Sequence, residues 1–392
     1  MSVEREGSKE PKNLSEARIL MVSRFGPGKV GGIPSILMSL ERVWKEYARE
    51  VLSVNPENQS RVDLNSNWDL AIFHHTSMFG VRKFLELPER LKERSNFIWY
   101  QAVDEETLKT FARLGVGNTR FIPSALKIRS EIMSRRFLAN YPGVINYAIS
   151  NNVRESLQKA NIGSGKEINV VEVPSLFPEN NHKIKEFEER GDGKFVILIV
   201  SRISPEKGIE NVIETYKNLF RLVQNNPDMR LTRPVKFIVA GGHTNNSYFE
   251  SIMEQVGELP SNDNCQIEFV GKKTDREVFD LYQNSHLFLM PGIYDSWGLV
   301  TMEALSYGLP VVGFEAPGTK EIFEQSQSQI GNLVGSGEVA AKSIVDIMIN
   351  IDLWKKLSAG ALRESDRHNP KQVSINLLNK FWNDRYRITN ER

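Results

Sequence analysis

The stretch SHLFLMPGIYDSWGLVTMEALSYGLPVVGF, residues 285–314, determines the fold that we predict for this chain. Two short apolar runs, at residues 286–290 and 309–313, flank a helix-like segment at residues 297–307. Short apolar runs bounded by glycine and proline are typical of strands in a parallel sheet that is covered on both faces. The stretch therefore predicts a buried strand–helix–strand unit.

Two carboxylates mark this unit as a candidate binding site. Asp295 lies where the chain enters the predicted helix, and Glu303 is the one charged residue between Gly298 and Tyr307. A helix that is apolar nearly all round is buried, and a buried carboxylate needs a partner or a ligand to offset its desolvation. A helix cap for Asp295 and an internal ion pair for Glu303 are the structural alternatives. Together, at the carboxyl edge of a strand, the two residues favour a polar ligand.

The composition excludes several classes of protein. A length of 392 residues favours two or three domains, and 50 Lys and Arg against 49 Asp and Glu leave a net charge of +1. This balance gives no electrostatic case for a nucleic-acid partner. The six histidines are scattered, and no cluster of them has the spacing of a zinc site.

The cysteine content and the apolar runs bear on the compartment. The single cysteine, Cys265, excludes an internal disulfide and fits a reducing environment. No apolar run reaches the roughly 18–20 residues of a membrane span. The polar residues 1–18 lack the apolar core of a secretory signal. We therefore expect a cytoplasmic protein.

The first half of the chain alternates predicted strands with predicted helices. The strands are expected at residues 18–23, 51–54, 69–74, 97–101, 144–149 and 168–173, and the helices at residues 34–47 and 152–160. A glycine-rich loop at residues 24–32 precedes the first helix, where exposed backbone N–H groups can bind an anion. Its Gly26, Gly28 and Gly31 match the dinucleotide-binding pattern, but Asn55 follows the second strand instead of an acidic residue that would hold a ribose. The pattern thus supports an anion site more than a nicotinamide site.

Two further features of the first half are candidates for function. His74 and His75 lie at the carboxyl end of a predicted strand, although most histidines in such positions are structural. Residues 124–140 interleave Lys and Arg with apolar side chains, as an ordinary amphipathic helix does. The alternative is a basic surface that makes a peripheral contact with anionic lipid or with a lipid-linked substrate.

The second half repeats the alternation after a boundary at residues 174–194, which are rich in Pro, Asn, Gly and charge. Strands are expected at residues 195–200, 235–240 and 266–270, and helices at residues 209–220, 248–257, 275–283 and 371–386. Alternation in both halves predicts an α/β fold with two doubly wound domains.

The loop SRISPEKG, residues 201–208, follows the first strand of the second half and contains two cations. Arg202 and Lys207 lie between a strand end and a helix start, a combination that suits a phosphate or diphosphate. The alternative is a pair of surface cations that bind Glu206 or Glu210.

Several segments occur in an order that is typical of one family. They are IVSRISPEKGIENVI, VAGG, IEFVGKKTDREVFDLYQNSHLFLMPG and YDSWGLVTMEALSYGLPVVGFEAPGTKEI in the second half, and Gly31-Gly32-Ile33, the strand that ends at His74 and ISNNVRESL in the first. On these motifs the chain resembles the family-4 type of retaining glycosyltransferases with the GT-B fold, over most of its length.

The resemblance implies two Rossmann-like domains that face a cleft. Residues 1–180 would form the acceptor-side domain, residues 181–370 the donor domain, and residues 371–392 a helix that returns to the first domain. It implies a retaining hexosyltransferase that moves a sugar from a nucleotide-sugar to a glycan or lipid-linked acceptor, with no cofactor and no metal. A peripheral location at the inner face of the membrane is compatible with such an acceptor.

The resemblance also implies roles for individual residues. Arg202 and Lys207 would stabilise the negative charge that grows on the leaving diphosphate. Asp295 would contact the sugar and Glu303 the ribose. The remaining donor-binding residues would be Ser296, Trp297, Gly298 and Leu299, with Gly32 and Ile33 from the first domain, and His74 would be catalytic.

The chain departs from the family pattern at three positions. Asp295 replaces a glutamate, Ser201 replaces a glycine, and Ala102 lies where many members have a histidine. His74, His75 or Asp104 would serve in place of that histidine, or the leaving phosphate would take the acceptor's proton. An alternative from another class is a catalytically silent GT-B subunit that binds nucleotide sugar and supports a partner enzyme.

Overall fold

The computed structural model describes residues 13–23, 32–74, 78–92, 95–99, 133, 135–175, 184–225, 233–243 and 245–385. Their contacts divide the chain into two compact units. The first unit contains the described residues up to Trp99 and those of Ser124–Pro174 and Pro370–Arg392, and the second contains those of Ser175–Asn369. Each unit has one six-stranded sheet whose neighbouring strands are parallel, which confirms the predicted two-domain Rossmann-like α/β class.

The sheet of the first unit has its fully buried strands at its centre. Its strands are β1 (Arg18–Ser23), β2 (Glu50–Val54), β3 (Leu70–His74), β4 (Ser95–Trp99), β5 (Ile145–Ala148) and β6 (Ile168–Val170). They lie in the order β2-β1-β3-β4-β5-β6, and every residue of β3 and β4 is buried. The helices are α1 (Gly32–Trp44), α2 (Met78–Glu86), α3 (Glu89–Lys92) and α4 (Asn151–Lys159). The order reverses between β1 and β3, where Ser23 and His74 are neighbours in register.

A helix from the other end of the chain completes the core of the first unit. This helix, α12 (Pro370–Asp384), packs against α1. The indole of Trp44 donates a hydrogen bond to the carbonyl of Ser374 (2.8 Å), and the hydroxyl of Tyr147 donates one to Asp384 (2.8 Å). The ring of Phe381 lies between those of Trp44 and Tyr147, at centroid distances of 6.1 and 4.7 Å. The first unit is therefore built from both ends of the sequence.

The second unit has the same architecture with more helices. Its strands are β7 (Phe195–Val200), β8 (Val235–Ala240), β9 (Cys265–Gly271), β10 (Leu287–Met290), β11 (Val311–Phe314) and β12 (Gly331–Val334), in the order β12-β11-β10-β7-β8-β9. The helices are α5 (Ile209–Asn225), α6 (Asn246–Gly257), α7 (Asp275–Gln283), α8 (Leu299–Ser306), α9 (Pro317–Gln325), α10 (Gly337–Ile349) and α11 (Ile351–Arg367). Alternate residues of β7 enter separate apolar clusters, with Ile197 in one and Leu198 in the other, so both faces of the sheet are covered.

A buried arginine binds the carboxyl ends of α7 and of α8, the helix that carries Glu303. The guanidinium of Arg190 donates hydrogen bonds to the carbonyls of Lys185 (2.8 Å), Ser285 (2.7 Å) and Tyr307 (2.9 Å). Ser285 follows α7, and Tyr307 is the C-cap of α8. Arg190 thus fixes the carboxyl ends of two neighbouring helices, and burial lowers the pKa of its guanidinium to about 10, which leaves the charge in place.

His286, the residue directly before β10, is a structural residue. Its Nδ1 accepts a hydrogen bond from the N–H of Val196 (3.0 Å), and its Nε2 lies 3.1 Å from the carbonyl of Phe187. Burial lowers the pKa of His286 to about 3, so the ring is neutral and donates from Nε2. Its ring stacks on Phe195, which explains how a histidine can lie in the interior directly before β10.

Some predicted boundaries differ from the structure by a few residues. The fourth strand begins at Ser95, and the sixth ends at Val170. Of the predicted helix at residues 124–140, the structure describes residue 133 and residues 135–140. Within the described ranges, no helix is both long and apolar enough to cross a membrane.

The docking of α12 predicts a stability difference between two positions of the same helix. Phe381→Ala should lower the free energy of unfolding by about 3–5 kcal/mol, because it empties the space between Trp44 and Tyr147. Asn379→Ala, at an exposed position of α12, should change it by less than about 0.5 kcal/mol. Urea denaturation followed by circular dichroism measures both. Equal effects at the two positions would contradict the packing.

Candidate functional site

The topology of the second sheet brings two loops together. Its strand order reverses between β7 and β10, which are parallel neighbours, so the segments that follow these strands leave the same edge side by side. Open α/β sheets bind ligands at such a reversal. One segment is residues 201–208, with a 3-10 turn at Pro205–Lys207, and the other is residues 291–298, which lead into α8.

The backbone of the turn is bonded to the second loop. The carbonyl of Glu206 accepts hydrogen bonds from the N–H groups of Ile293 (3.1 Å) and Tyr294 (3.0 Å). Gly208 has a φ of 64°, and a Cβ built on it would lie 2.1 Å from the carbonyl oxygen of Pro291. Only glycine fits both the backbone conformation and this approach. The two loops therefore form one rigid edge.

Two ion pairs join charged side chains on this edge. The ammonium of Lys207 lies 3.3 Å from a carboxylate oxygen of Asp295, and both side chains are largely buried, at 19% and 16% exposed. Arg202 pairs with Glu206 (3.0 Å), as the surface alternative predicted. The arginine side chain is nevertheless 58% exposed, whereas that of Glu206 is buried. Glu206 thus holds a guanidinium that remains open to a ligand.

The start of α8 adds backbone donors beside these charges. Gly298, the N-cap, has a φ of 92°, and the first N–H groups of the helix precede its first internal hydrogen bond. The N–H of Gly318 donates to the carbonyl of Asp295 (2.8 Å), and a Cβ on Gly318 would lie 2.5 Å from the nitrogen of Trp297. The loop that carries Asp295, Ser296 and Trp297 is therefore clamped against α9. A helix start of this kind suits an anion.

Several buried polar atoms of this region have no protein partner among the described residues. They are the hydroxyl oxygens of Ser204 and Thr301 and the second carboxylate oxygen of Glu206. Buried polar groups are almost always hydrogen-bonded in native proteins. Unsatisfied atoms in residues 201–208 and in the first turn of α8 agree with a site that is completed by a ligand or by water.

Glu303 lies one turn into α8 and carries a shifted pKa. Its Oε2 accepts a hydrogen bond from the hydroxyl of Tyr282 (3.1 Å). The pKa of Glu303 is raised to about 8, mainly by burial and to a smaller extent by Asp275, while the hydrogen bond from Tyr282 opposes the shift. Within the described part of the chain, Glu303 forms no ion pair, so the internal ion pair considered from the sequence is wrong there.

Three predicted site residues of the first unit, Gly32, Ile33 and His74, lie in the described part of the chain. Gly32 begins α1, and Ile33 follows it. His74 ends β3 at the reversal of the first sheet and is fully buried, and burial lowers its pKa to about 3. Its ring is therefore neutral. The expectations for the glycine-rich loop before Gly32, for His75, Ala102 and Asp104, and for most of residues 124–140 lie outside the described residues.

Sequence reasoning missed two residues that shape this site. Glu206 was considered only as a surface partner, yet it binds Arg202 and anchors the second loop. Tyr282 was not singled out, because nothing in the sequence links it to Glu303, 21 positions away. Among the described residues, no cluster of three His, Cys, Asp or Glu side chains has the arrangement of a metal site.

Comparisons with known proteins point to one family. Residues 180–361 match the family model described as "Glycosyl transferases group 1". A trehalose synthase from Pyrococcus horikoshii is 25% identical over 343 residues, which are 84% of this chain and 71% of that protein. An alpha-monoglucosyldiacylglycerol synthase from Streptococcus pneumoniae is 24% identical over 237 residues, and the match spans 50% of its length.

Solved structures share the fold of the chain. HepE from Anabaena, in complex with UDP and glucose, aligns with a TM-score of 0.65 and 16% identity over 94% of this chain and 100% of that one. The sucrose-phosphate synthase from Thermosynechococcus elongatus aligns with a TM-score of 0.65 and 13% identity over 92% and 97% of the two chains.

The close approach at Gly208 predicts an unequal cost for two glycine substitutions. Gly193→Ala should lower the free energy of unfolding by about 1–2 kcal/mol, because Gly193 has a φ of 81° but open space around it. Gly208→Ala should cost at least twice as much, since its methyl group also meets the carbonyl of Pro291. Guanidinium denaturation compares the two, and equal costs would show that the contact with Pro291 is unimportant.

The raised pKa of Glu303 predicts a pH-dependent gain in stability for Glu303→Gln. Between pH 4.5 and about 8 the folded state holds a proton that the unfolded state has lost, so wild-type stability falls as the pH rises through this window. A glutamine side chain does not titrate, so it removes the fall in stability that Glu303 causes. The variant should match wild type near pH 4.5 and exceed it by a few kcal/mol at pH 8–9, on the order of 1.4 kcal/mol per pH unit crossed.

Urea denaturation without nucleotide at the two ends of this window measures the effect. Glu254→Gln, at an exposed position of α6, is the matched control and should leave the pH dependence of wild type unchanged. A Glu303→Gln variant with the same pH dependence as wild type would mean that Glu303 is already ionised in the folded state.

Proposed function

We propose that the chain is a retaining hexosyltransferase, and the match of residues 180–361 to the family model of glycosyl transferases group 1 supports this proposal. It moves a sugar from a nucleotide-sugar donor to a glycan or lipid-linked acceptor. The observation that carries the proposal is the loop pair of the second unit. There Lys207 and Asp295 meet beside Arg202 and the start of α8.

In this proposal, the diphosphate of the donor binds the two cations. The exposed guanidinium of Arg202 offers a fork of donors, and Lys207 offers a point charge. A bound diphosphate competes with Asp295 for Lys207, which releases the Asp295 carboxylate for the sugar hydroxyls. The first N–H groups of α8, at Leu299 and Val300, add donors for the phosphate. Ser296, Trp297 and Gly298 hold the loop in which these groups lie.

The same groups favour the bond-breaking step. When the bond between the anomeric carbon and the diphosphate oxygen breaks, negative charge grows on the diphosphate next to Arg202 and Lys207. Fixed cations aimed at developing charge stabilise a transition state more than the bound substrate. The acceptor oxygen bonds to the anomeric carbon on the face that the diphosphate leaves, and its proton passes to the departing phosphate. Configuration is then retained without a protein nucleophile or a metal.

Four further residues have proposed roles in donor binding. Glu303 accepts hydrogen bonds from the ribose hydroxyls. Gly32 and Ile33, at the start of α1, are the proposed contacts of the first unit with phosphate and sugar. His74 is proposed to orient groups at the edge of the first sheet as a neutral ring, since burial lowers its pKa to about 3.

A peripheral contact with the inner face of a membrane is part of the proposal for the acceptor. Met133 and Phe137, one helical turn apart, are 67% and 52% exposed. They belong to the segment in which the sequence interleaves basic and apolar residues. An exposed apolar pair in a segment whose sequence is rich in basic residues suits anionic lipid. The pneumococcal relative is named an alpha-monoglucosyldiacylglycerol synthase, and this lipid product also supports a lipid-linked acceptor.

Binding and turnover of the donor test the proposal. Calorimetric titration with UDP, GDP and ADP should show binding of one of them. Lys207→Ala should lower kcat/KM for release of that nucleotide from its sugar donor by about 100-fold or more. Lys342→Ala is the control, because Lys342 is an exposed lysine of α10 that pairs with Glu338. NMR of the product should show the anomeric configuration of the donor.

Each other outcome has a distinct meaning. Binding of a nucleoside diphosphate without any transfer or donor hydrolysis would identify the silent subunit considered from the sequence. A product with the inverted anomeric configuration would contradict the retaining mechanism. Absence of binding to all three nucleotides would overturn the site.

A further inference from the structure

The hydroxyl of Tyr282 lies between two acceptors of α8. It is 3.1 Å from Oε2 of Glu303 and 3.2 Å from the backbone carbonyl oxygen of Val300. A phenol has one proton to donate and can also accept a hydrogen bond. When Glu303 is ionised, Tyr282 donates to the carboxylate. When Glu303 is protonated, Tyr282 can donate to Val300 and accept from the carboxyl group. The same contact therefore serves both protonation states.

The ring of Tyr282 cannot turn away from this contact. It is fully buried, it stacks on Tyr307 at a centroid distance of 5.6 Å, and it packs against Phe288 at 6.0 Å. Arg190 holds the carbonyl of Tyr307, so the stack is fastened to the rest of the unit. Burial also raises the pKa of Tyr282 well above its usual range, and the phenol keeps its proton.

The other surroundings of Glu303 offer no competing partner. The titratable groups that act on it are Tyr282 and Asp275 of α7, and Tyr307 at the end of its own helix. The elements α11, β10 and β11 also pack against α8, and none of their charged groups contributes to the pKa shift of Glu303. The Oε1 of Glu303 has no hydrogen bond within the described part of the chain. One oxygen is therefore held by Tyr282 while the other is left for a ligand.

We propose that Tyr282 is a positioning residue, which orients the Glu303 carboxylate so that it accepts the hydroxyl groups of a ribose. The inference deepens the proposed function and rests on its assignment of Glu303 to the ribose. It adds a residue that does not touch the donor. It also makes nucleotide affinity depend on pH, because the ionised carboxylate is a stronger acceptor for the ribose hydroxyls than the neutral acid.

Tyr282→Phe tests the inference, because it keeps the ring stack and removes only the hydroxyl. In wild type, affinity for the nucleotide that binds among UDP, GDP and ADP should rise with pH and level off near pH 8, where Glu303 loses its proton. Without the hydroxyl that favours the ionised form, the midpoint should move up by about one pH unit. At pH 7 this corresponds to about tenfold weaker binding.

Two further variants separate positioning from packing. In Glu303→Gln the affinity should be weak and independent of pH, and adding Tyr282→Phe to it should cause no further loss. Tyr216→Phe is the matched control, since it removes another buried hydroxyl of the same unit, one bonded to the carbonyls of Pro260 and Cys265. It should leave the pH profile in place. An unchanged midpoint in Tyr282→Phe, or a uniform loss at every pH, would overturn the inference.

A measurement without ligand distinguishes failure of this inference from failure of the proposed function. With ¹³C-labelled glutamate, the carboxyl resonance that disappears in Glu303→Gln reports the titration of Glu303. Its midpoint should be higher in Tyr282→Phe than in wild type. If it shifts but no nucleoside diphosphate binds, Tyr282 controls Glu303 and the ribose role is wrong. If it does not shift, Tyr282 does not control the carboxylate, whatever binds.

Discussion

The approach of Gly208 to the carbonyl of Pro291 is the contact on which the site of the second unit depends. It lets the turn after β7 lie against the loop after β10, and the carbonyl of Glu206 then bonds to that loop. Lys207 reaches Asp295 only because these backbones are adjacent. A single side-chain carbon at Gly208 would separate the two loops. The site therefore depends on the lack of a Cβ atom at Gly208 as much as on its charged side chains.

The charges of the site are balanced before any ligand arrives. Asp295 offsets Lys207, Glu206 offsets Arg202, and burial favours the neutral form of Glu303. A buried charge without a partner is expensive, so a site built for a dianion must hold its cations in another way while it is empty. Carboxylates that can be displaced solve this problem. In the proposed function, an incoming diphosphate would therefore replace Asp295 and Glu206 as the partner of the two cations.

The fold could be predicted from sequence because its signal is local. Apolar runs bounded by glycine and proline marked most strands of both sheets, and glycine and basic residues marked the loops after β7 and β10. The segments α9 to α11 and the short strand β12 were not assigned, since mixed apolar patterns there fit several elements. The Tyr282–Glu303 contact and the dual role of Glu206 could not be predicted, because each depends on which backbones the sheet order makes adjacent.

The place of α12 in the first unit has a consequence for the order of events at the ribosome. The hydrogen bond of Trp44 can form only after its partner Ser374, 330 residues later in the sequence, has been synthesised. The described elements of the second unit all precede α12 in the chain and are therefore synthesised before it. Domains generally fold as units while the chain is made. In this chain the later unit can be complete while the earlier one still exposes the apolar face of α1. The first unit is therefore the first to be translated and the last to complete its fold.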